Sequence, residues 1–193
     1  MKTTLITCLL GMGLGVAALS AQDEKKEEKK SVSAPDFTDP VKLTEKSPET
    51  FKAKFETTKG NFTVEVTRSL SPNGADRFYN LVRSGYFKDV AFFRVIPGFM
   101  CQFGIHGDPK ISAAWGKKAQ IPDDPVKGSN TRGTITFAQT RMPNSRSAQF
   151  FINFGDNSQL DGQRFAPFGK VIEGLEFLPN IRQNDELTSA RVD

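Results

Sequence analysis

A mainly β fold, a small closed or nearly closed antiparallel barrel with one or two helices, is what this 193-residue sequence predicts. Three observations carry that expectation. Short runs rich in Phe, Val and Ile recur from residue 51 onward. Turn-rich segments separate them: GIHGDPK (104–110), IPDDPVKGSNTRG (121–133), TRMPNSRS (140–147) and GDNSQLDGQ (155–163). Only one stretch has clear helical periodicity. With 37% hydrophobic and 25% charged residues the composition is that of an ordinary soluble protein, long enough for one domain plus an extension. The net charge of +4 is mild and lysines alternate with glutamates, so a nucleic-acid partner is not indicated.

The extension is N-terminal. Lys2 precedes the uncharged run Leu5–Leu19, and the small residues Ala18, Ser20 and Ala21 follow. This is the three-part layout of a secretory signal peptide over residues 1–21, too short for a membrane span, with an uncleaved anchor as the alternative. Cys8 lacks a lipoprotein-type cleavage motif. A cleaved chain keeps one cysteine, Cys101, read as a small buried apolar residue. Export to the periplasm or beyond, without stable membrane insertion, is the expectation. Residues 22–50 open with DEKKEEKK (23–30), balanced in charge with nothing to bury, and read as a disordered tether or an interaction tail.

The domain is expected over 51–193. FKAKFETTKGNFTVEV (51–66) alternates on both sides of Lys59-Gly60-Asn61, a hairpin signal. Ser71-Pro72 opens a helix whose apolar face is Ala75, Phe78, Tyr79 and Val82, and Gly85 stops it. Strands are expected at Val90–Ile96, Phe99–Phe103, Gly133–Gln139, Gln149–Phe154 and Phe168–Ile172.

The usual catalytic inventory is nearly empty. His106, the only histidine, lies in a Gly-flanked loop and reads as a loop residue; one histidine and one remaining cysteine argue against a zinc site. Asp123-Asp124 reads as a solvated loop or turn, with metal-ligating carboxylates as the alternative. Nucleotide fingerprints are absent from the sequence, and no cofactor or metal is expected. The aromatic positions are more informative. Alternation puts Met100 with Gln102 on one strand face and Gln149 with Phe151 on another. Phe150 and Phe151 are neighbours, so one of them points away from the core unless something covers it. Arg94 sits in FFRVIPGFMCQF (92–103), a guanidinium among phenylalanines. Together these sketch an apolar groove with glutamines and one arginine, suited to binding or to a reaction that breaks no bond.

FFRVIPGFMCQFG (92–104) resembles the signature of cyclophilin-type peptidyl-prolyl cis/trans isomerases. The resemblance continues through GTITFAQT (133–140), SAQFFINF (147–154), LDG (160–162) and FAPFGKVIEG (165–174), in the family's order from Phe51 to Gly174. GIHGDP and IPDDPVKGSNTRG are similar to an exported bacterial branch. The resemblance implies an eight-stranded antiparallel barrel capped by two α-helices, with the groove on its outer face. It implies Arg94 as the catalytic residue, and Phe99, Met100, Phe151 and Leu160 as walls for a substrate proline ring. Gln102 would support the substrate backbone, Ala138 and Gln139 would lie along the peptide, and Phe93, Gln149 and Phe165 would complete the substrate-binding groove. Gln139 stands where most members have asparagine, Phe165 where others carry histidine or tyrosine, and Phe93 where many have a histidine. Gln159 occupies the place of the tryptophan of cyclosporin-sensitive members, so weak cyclosporin binding is expected.

After Gly174 the family continues with a helix and a closing strand. Here LEFLPNIRQNDELTSARVD is interrupted by Pro179, and no good closing strand is visible. The last strand is therefore expected to be missing or atypical: LTSARVD pairs weakly, or an edge remains beside the first strand. The function implied is isomerisation of X-Pro bonds in exported proteins by a monomer; the alternative is a non-catalytic peptide-binding or chaperone module of the same fold.

Overall fold

The computed structural model describes residues 36–116 and 119–193; the signal-peptide reading (1–21) and residues 22–35 of the tether lie outside them. Nine antiparallel strands form one curled sheet. They are β1 (Thr50–Thr57), β2 (Gly60–Thr67), β3 (Val90–Ala91), β4 (Arg94–Ile96), β5 (Met100–Phe103), β6 (Thr134–Phe137), β7 (Phe150–Asn153), β8 (Pro167–Glu173) and β9 (Glu186–Val192). Their order is β3-β9-β1-β2-β8-β6-β7-β5-β4.

The strand count exceeds the expected eight because Val90–Ile96 is not one strand. It breaks at Phe92-Phe93, and its halves pair with opposite ends of the sheet, β3 with β9 and β4 with β5. The two terminal strands are thus joined by two residues, and the covalent chain closes the curl. Phe92 seals the joint: its N–H donates to the Asp185 carbonyl and its carbonyl accepts from Asn184 N–H, each at 2.9 Å.

A closing strand is present. Glu186–Val192 pairs with β1 from Ala53↔Val192 to Thr57↔Leu187 and with β3 at Val90↔Leu187. Its sequence, ELTSARV, escapes pattern reading because Leu187 is its only fully buried side chain. Backbone pairing makes it a strand. Exposed ion pairs along it, Arg191–Glu56 at 2.9 Å and Lys54–Asp193 at 2.6 Å, add little each. The helix expected after Gly174 is reduced to one 3-10 turn, Leu178–Asn180, with Pro179 inside it.

The hairpin turns at Thr58-Lys59, with Thr57 opposite Gly60, whose φ of 133° only glycine adopts freely. Inside the curl lies a phenylalanine core. Phe55 from β1, Phe103 from β5, Phe137 from β6, Phe150 from β7 and Phe168 from β8 are all solvent-inaccessible. Helix α1 (Pro72–Ser84) closes one end of it. Phe78 stands 5.0–5.9 Å, centroid to centroid, from Phe55, Phe87, Phe150 and Phe168. Each buried ring is worth about 1.5–3 kcal/mol relative to exposure. Gly85 ends the helix in the left-handed conformation (φ 78°). Helix α2 (Pro109–Ala114) is only six residues long.

The start of α1 is capped from across the chain. Ser71 makes no capping bond with its own side chain. Instead Asp124 accepts from Ser71 Oγ (2.6 Å), Asn73 N–H (3.1 Å) and Gly74 N–H (2.9 Å), and pairs with buried Arg146 at 3.0 Å. Asp124 is therefore a buried structural anion, not part of a solvated loop. Asp123 is half-buried and pairs with Arg164 at 2.9 Å.

Residues 36–49, which the charge pattern assigns to the tether, lie against the domain. Leu43 and Ser47 are buried, and Asn80 holds Glu45 through its N–H (3.1 Å) and carbonyl (2.6 Å). Trp115 donates to the Phe37 carbonyl at 2.8 Å. His106 is buried beside Phe37 and Tyr86, and burial holds its imidazole below the ordinary value, so it packs as a neutral ring. Cys101 is buried and free, its thiol pushed up by desolvation.

Truncating the buried anion leaves buried Arg146 with only Asp123, 3.5 Å from its Nε, and the start of α1 uncapped. Asp124→Ala should lower unfolding free energy by about 3–5 kcal/mol in urea denaturation, and Arg146→Ala by a similar amount. The double variant should cost markedly less than the sum.

Candidate active site

QFFINF (149–154) shows how the barrel acquires a second apolar surface. Successive side chains of a strand point to opposite faces. Phe150 enters the core; Phe151, only 5% exposed, does not join the interior cluster. It faces outward and meets Phe165 edge-on, the ring centroids 5.6 Å apart. On β5 the same alternation puts Cys101 and Phe103 inside, Met100 and Gln102 outside. Register then aligns Arg94 opposite Gln102, Gln102 opposite Phe151, and Phe151 opposite Thr136. One row of side chains crosses four strands on the outer face.

This row floors a depression of about 160 Å³ lined by Arg94, Phe99, Met100, Gln102, Ala138, Gln139, Phe151, Leu160 and Phe165. Nine of the eleven site residues expected from sequence are thus brought together. Gln149 stands one step beyond, in an adjoining hollow that shares Gln102, Ala138 and Gln139. Phe93 does not line the depression; it occupies the break between β3 and β4, half-buried. Arg94 is exposed at the rim, and its Nη1 donates to Gln102 Oε1 at 3.4 Å. Gln102 Nε2 in turn donates to Gln149 Oε1 at 3.2 Å, so two amides orient the guanidinium. Gln139 Nε2 donates to the Gln163 carbonyl at 3.0 Å, tying the β6 wall to the facing segment. Apart from the guanidinium, the lining offers only hydrocarbon, thioether and amides.

A polar lattice that pattern reading missed holds the far wall. Asn157 Nδ2 donates to Asn153 Oδ1 (2.7 Å) and to the Phe99 carbonyl (2.9 Å). Asn153 donates to Thr134 Oγ1 (2.9 Å), and Thr136 to Asn130 Oδ1 (2.8 Å). Asn130 donates to Asp161 Oδ1 (2.7 Å) and to the Phe165 carbonyl (2.9 Å). Burial opposes the Asp161 charge, but hydrogen bonds from Ser129 and Asn130 outweigh it and hold the carboxyl below its usual range. These bonds press 157–165, and with it Leu160 and Phe165, onto the outside of the barrel. The only sequence signal was asparagine at 130, 153 and 157, with Asn153 inside an apparent strand where a polar residue needs a partner.

Fold and site together define a class: an antiparallel barrel whose outer wall carries a small apolar pocket with one arginine at its rim. The family model for "Cyclophilin type peptidyl-prolyl cis-trans isomerase/CLD" matches residues 52–192. A peptidyl-prolyl cis-trans isomerase A of Dickeya dadantii (strain 3937) is 39% identical over 137 residues, covering 66% of this chain and 68% of the relative. Peptidyl-prolyl cis-trans isomerase B of Escherichia coli (strain K12) is 31% identical over 141 residues, covering 66% and 82%. The crystal structure of a Cryptosporidium parvum cyclophilin type isomerase superposes with a TM-score of 0.64 at 26% identity, covering 75% of this chain and 98% of that one. The chain belongs to the cyclophilin-type peptidyl-prolyl cis-trans isomerases. Among the described residues no helix is long and apolar enough to cross a membrane.

The two faces of β7 can be separated by experiment. Phe150→Ala should cost about 3–5 kcal/mol of stability by thermal or urea unfolding. Phe151→Ala should cost distinctly less, because its ring packs against a surface segment, yet weaken binding of a proline peptide in titration.

Proposed function

We propose that Arg94 carries the catalysis and that the depression beside it receives the proline ring of an exported polypeptide. The observation that carries this reading is an exposed guanidinium, bonded to Gln102, at the rim of an apolar pocket whose lining holds no other ionisable group. Rotation about a peptide bond has to overcome about 18–20 kcal/mol of barrier, because amide resonance is lost on the way. The two X-Pro isomers differ by only about 0.5–1 kcal/mol, so the equilibrium is shallow but slow. In the twisted transition state the prolyl nitrogen becomes pyramidal and exposes a lone pair. Arg94 donates to that lone pair, or holds the carbonyl oxygen, more strongly there than in the planar ground state, which is what lowers the barrier.

Phe99, Met100, Phe151, Leu160 and Phe165 grip the pyrrolidine ring while the other side of the bond turns. Gln102, steadied by Gln149, supports the guanidinium and the substrate backbone. Ala138 and Gln139 offer strand backbone along which an extended peptide lies. A structure of the Cryptosporidium parvum relative in the presence of the dipeptide Ala-Pro supports a proline-bearing ligand for this fold. A signal peptide over 1–21 would deliver the enzyme to the periplasm or beyond, where X-Pro isomerisation, roughly 10–100 s uncatalysed, limits folding. Phe93 stands beside this site rather than in its lining and needs no proton-carrying role. With Gln159 in place of a tryptophan, cyclosporin binds weakly.

A proline-isomerisation assay tests the assignment. Arg94→Ala should lower kcat/KM roughly a hundred- to a thousand-fold, and Arg94→Lys should restore little of it, since an ammonium lacks the planar fork of donors. Equal rates for wild type and Arg94→Ala would remove the assignment.

Because no proton is transferred, kcat/KM should stay flat across roughly pH 6 to 9. A bell-shaped profile centred in that range would require a titrating group that this mechanism does not contain.

A further inference from the structure

Among the described residues a second cavity, of about 400 Å³, lies apart from the proline pocket. It lies across the β4–β5 turn from it and is walled by Val95, Pro97, Gly98, Phe154, Pro179 and Ile181. Its volume falls in the range of small-ligand sites. It exists because of how the chain returns after Gly174. That stretch makes only the single turn Leu178–Asn180 before Ile181 enters the core, so the mouth of the barrel beside Val95 and Phe154 stays uncovered.

The cavity is continuous with the groove through the backbone. Val95 follows Arg94, and Gly98 precedes Phe99. The Phe99 carbonyl accepts from Phe154 N–H at 2.8 Å, so one turn forms the wall of both hollows. Beyond the other end of the proline pocket lie Ala138, Gln139 and the hollow shared with Gln149. A polypeptide whose proline occupies the pocket has chain on both sides of it. On the side away from Ala138 the pocket is bounded by the Pro97-Gly98 turn, which also walls the cavity. The rim there is polar and anchored: Arg182 and Gln183 are exposed, and Arg182 Nη1 donates to the Pro179 (2.7 Å) and Ile181 (3.0 Å) carbonyls.

We propose that this cavity is a specificity subsite for a large apolar side chain (Leu, Met or Phe) of the polypeptide substrate, on the side of the proline away from Ala138. The occupant is the substrate chain itself, because the cavity shares the β4–β5 turn with the groove. The proposal rests on reading the 160 Å³ depression as the proline pocket. A side chain that leaves water for a concave, mainly apolar surface improves transition-state binding only if the peptide is anchored beside it. The preference therefore shows in proline peptides, not in free amino acids.

The test is a set of proline peptides with Ala or Leu at each flanking position, assayed for isomerisation. At one position, on one side only, Leu should raise kcat/KM roughly tenfold over Ala, mainly through KM. In Gln183→Trp, where the indole fills the mouth from an exposed position, that ratio should fall to about one. The Leu peptide should also shift the backbone amide resonances of Gly98 and Phe154 in wild-type protein, and the Ala peptide should not. Absence of any such position, or an unchanged ratio in Gln183→Trp with no shift at Gly98 and Phe154, overturns the subsite. Failure of the catalytic reading looks different: full activity in Arg94→Ala removes Arg94 from catalysis while the Leu-over-Ala ratio and its loss in Gln183→Trp still establish the subsite.

Discussion

An apolar pocket on the outside of a barrel needs something to cover it, and here a set of hydrogen-bonded amides provides the cover. Asn130, Asn153 and Asn157, with Asp161, join the outer face of β6 and β7 to the segment 157–165. Each amide is buried and each finds partners, as a low-dielectric setting demands, since an unpaired buried amide costs about 1–3 kcal/mol. Remove the lattice and Leu160 and Phe165 lose their positions. Phe151 and Met100 would then be ordinary exposed hydrophobics. The position of the pocket is thus decided by polar groups, although its lining is apolar.

The same division of labour explains why one arginine among phenylalanines is tolerable. Arg94 lies on the outward side of β4 and stays exposed, so its charge keeps most of its hydration. Arg146 is the contrasting case: nearly inaccessible, it is paired with Asp124 and lies 5.5 Å from the Phe137 ring centroid. Arg146 holds α1 to the barrel; Arg94, on the reading proposed above, is the one that acts on a ligand. Burial separates the two roles.

Much of this was legible in the sequence, and the illegible part has a physical pattern. The hairpin, α1 and the inner strands declared themselves because their side chains alternate between a phenylalanine core and water. The outer pocket was legible through Phe150-Phe151, since adjacent strand residues cannot both face one core. β9 was not legible: with one fully buried side chain, it owes its state to backbone pairing with β1, which depends on residues more than a hundred positions away. Residues 36–49 escaped for a similar reason. Their charge pattern resembles a tether, but Leu43 and Ser47 are held by partners on α1 that no local pattern announces. The break of Val90–Ile96 into two strands escaped because both halves are β; only closure of the sheet distinguishes them.

Closure also bears on the placement of Arg94. Arg94 begins β4 immediately after Phe92-Phe93, the two residues that join the ends of the sheet. Phe92 is locked in the core and bonded on both sides to the Asn184-Asp185 turn. The chain two residues before Arg94 is therefore held on both sides, at the joint between the two ends of the sheet. On the mechanism proposed above, a donor that must meet a twisted amide more closely than a planar one gains from a backbone already held in place, because less ordering remains to be done when the transition state forms. In this chain the fixity comes from β9, the strand least visible in the sequence: without Asp185 and Glu186 beside Phe92 and Ala91, the joint would be a loop. Barrel closure and arginine placement are one structural event.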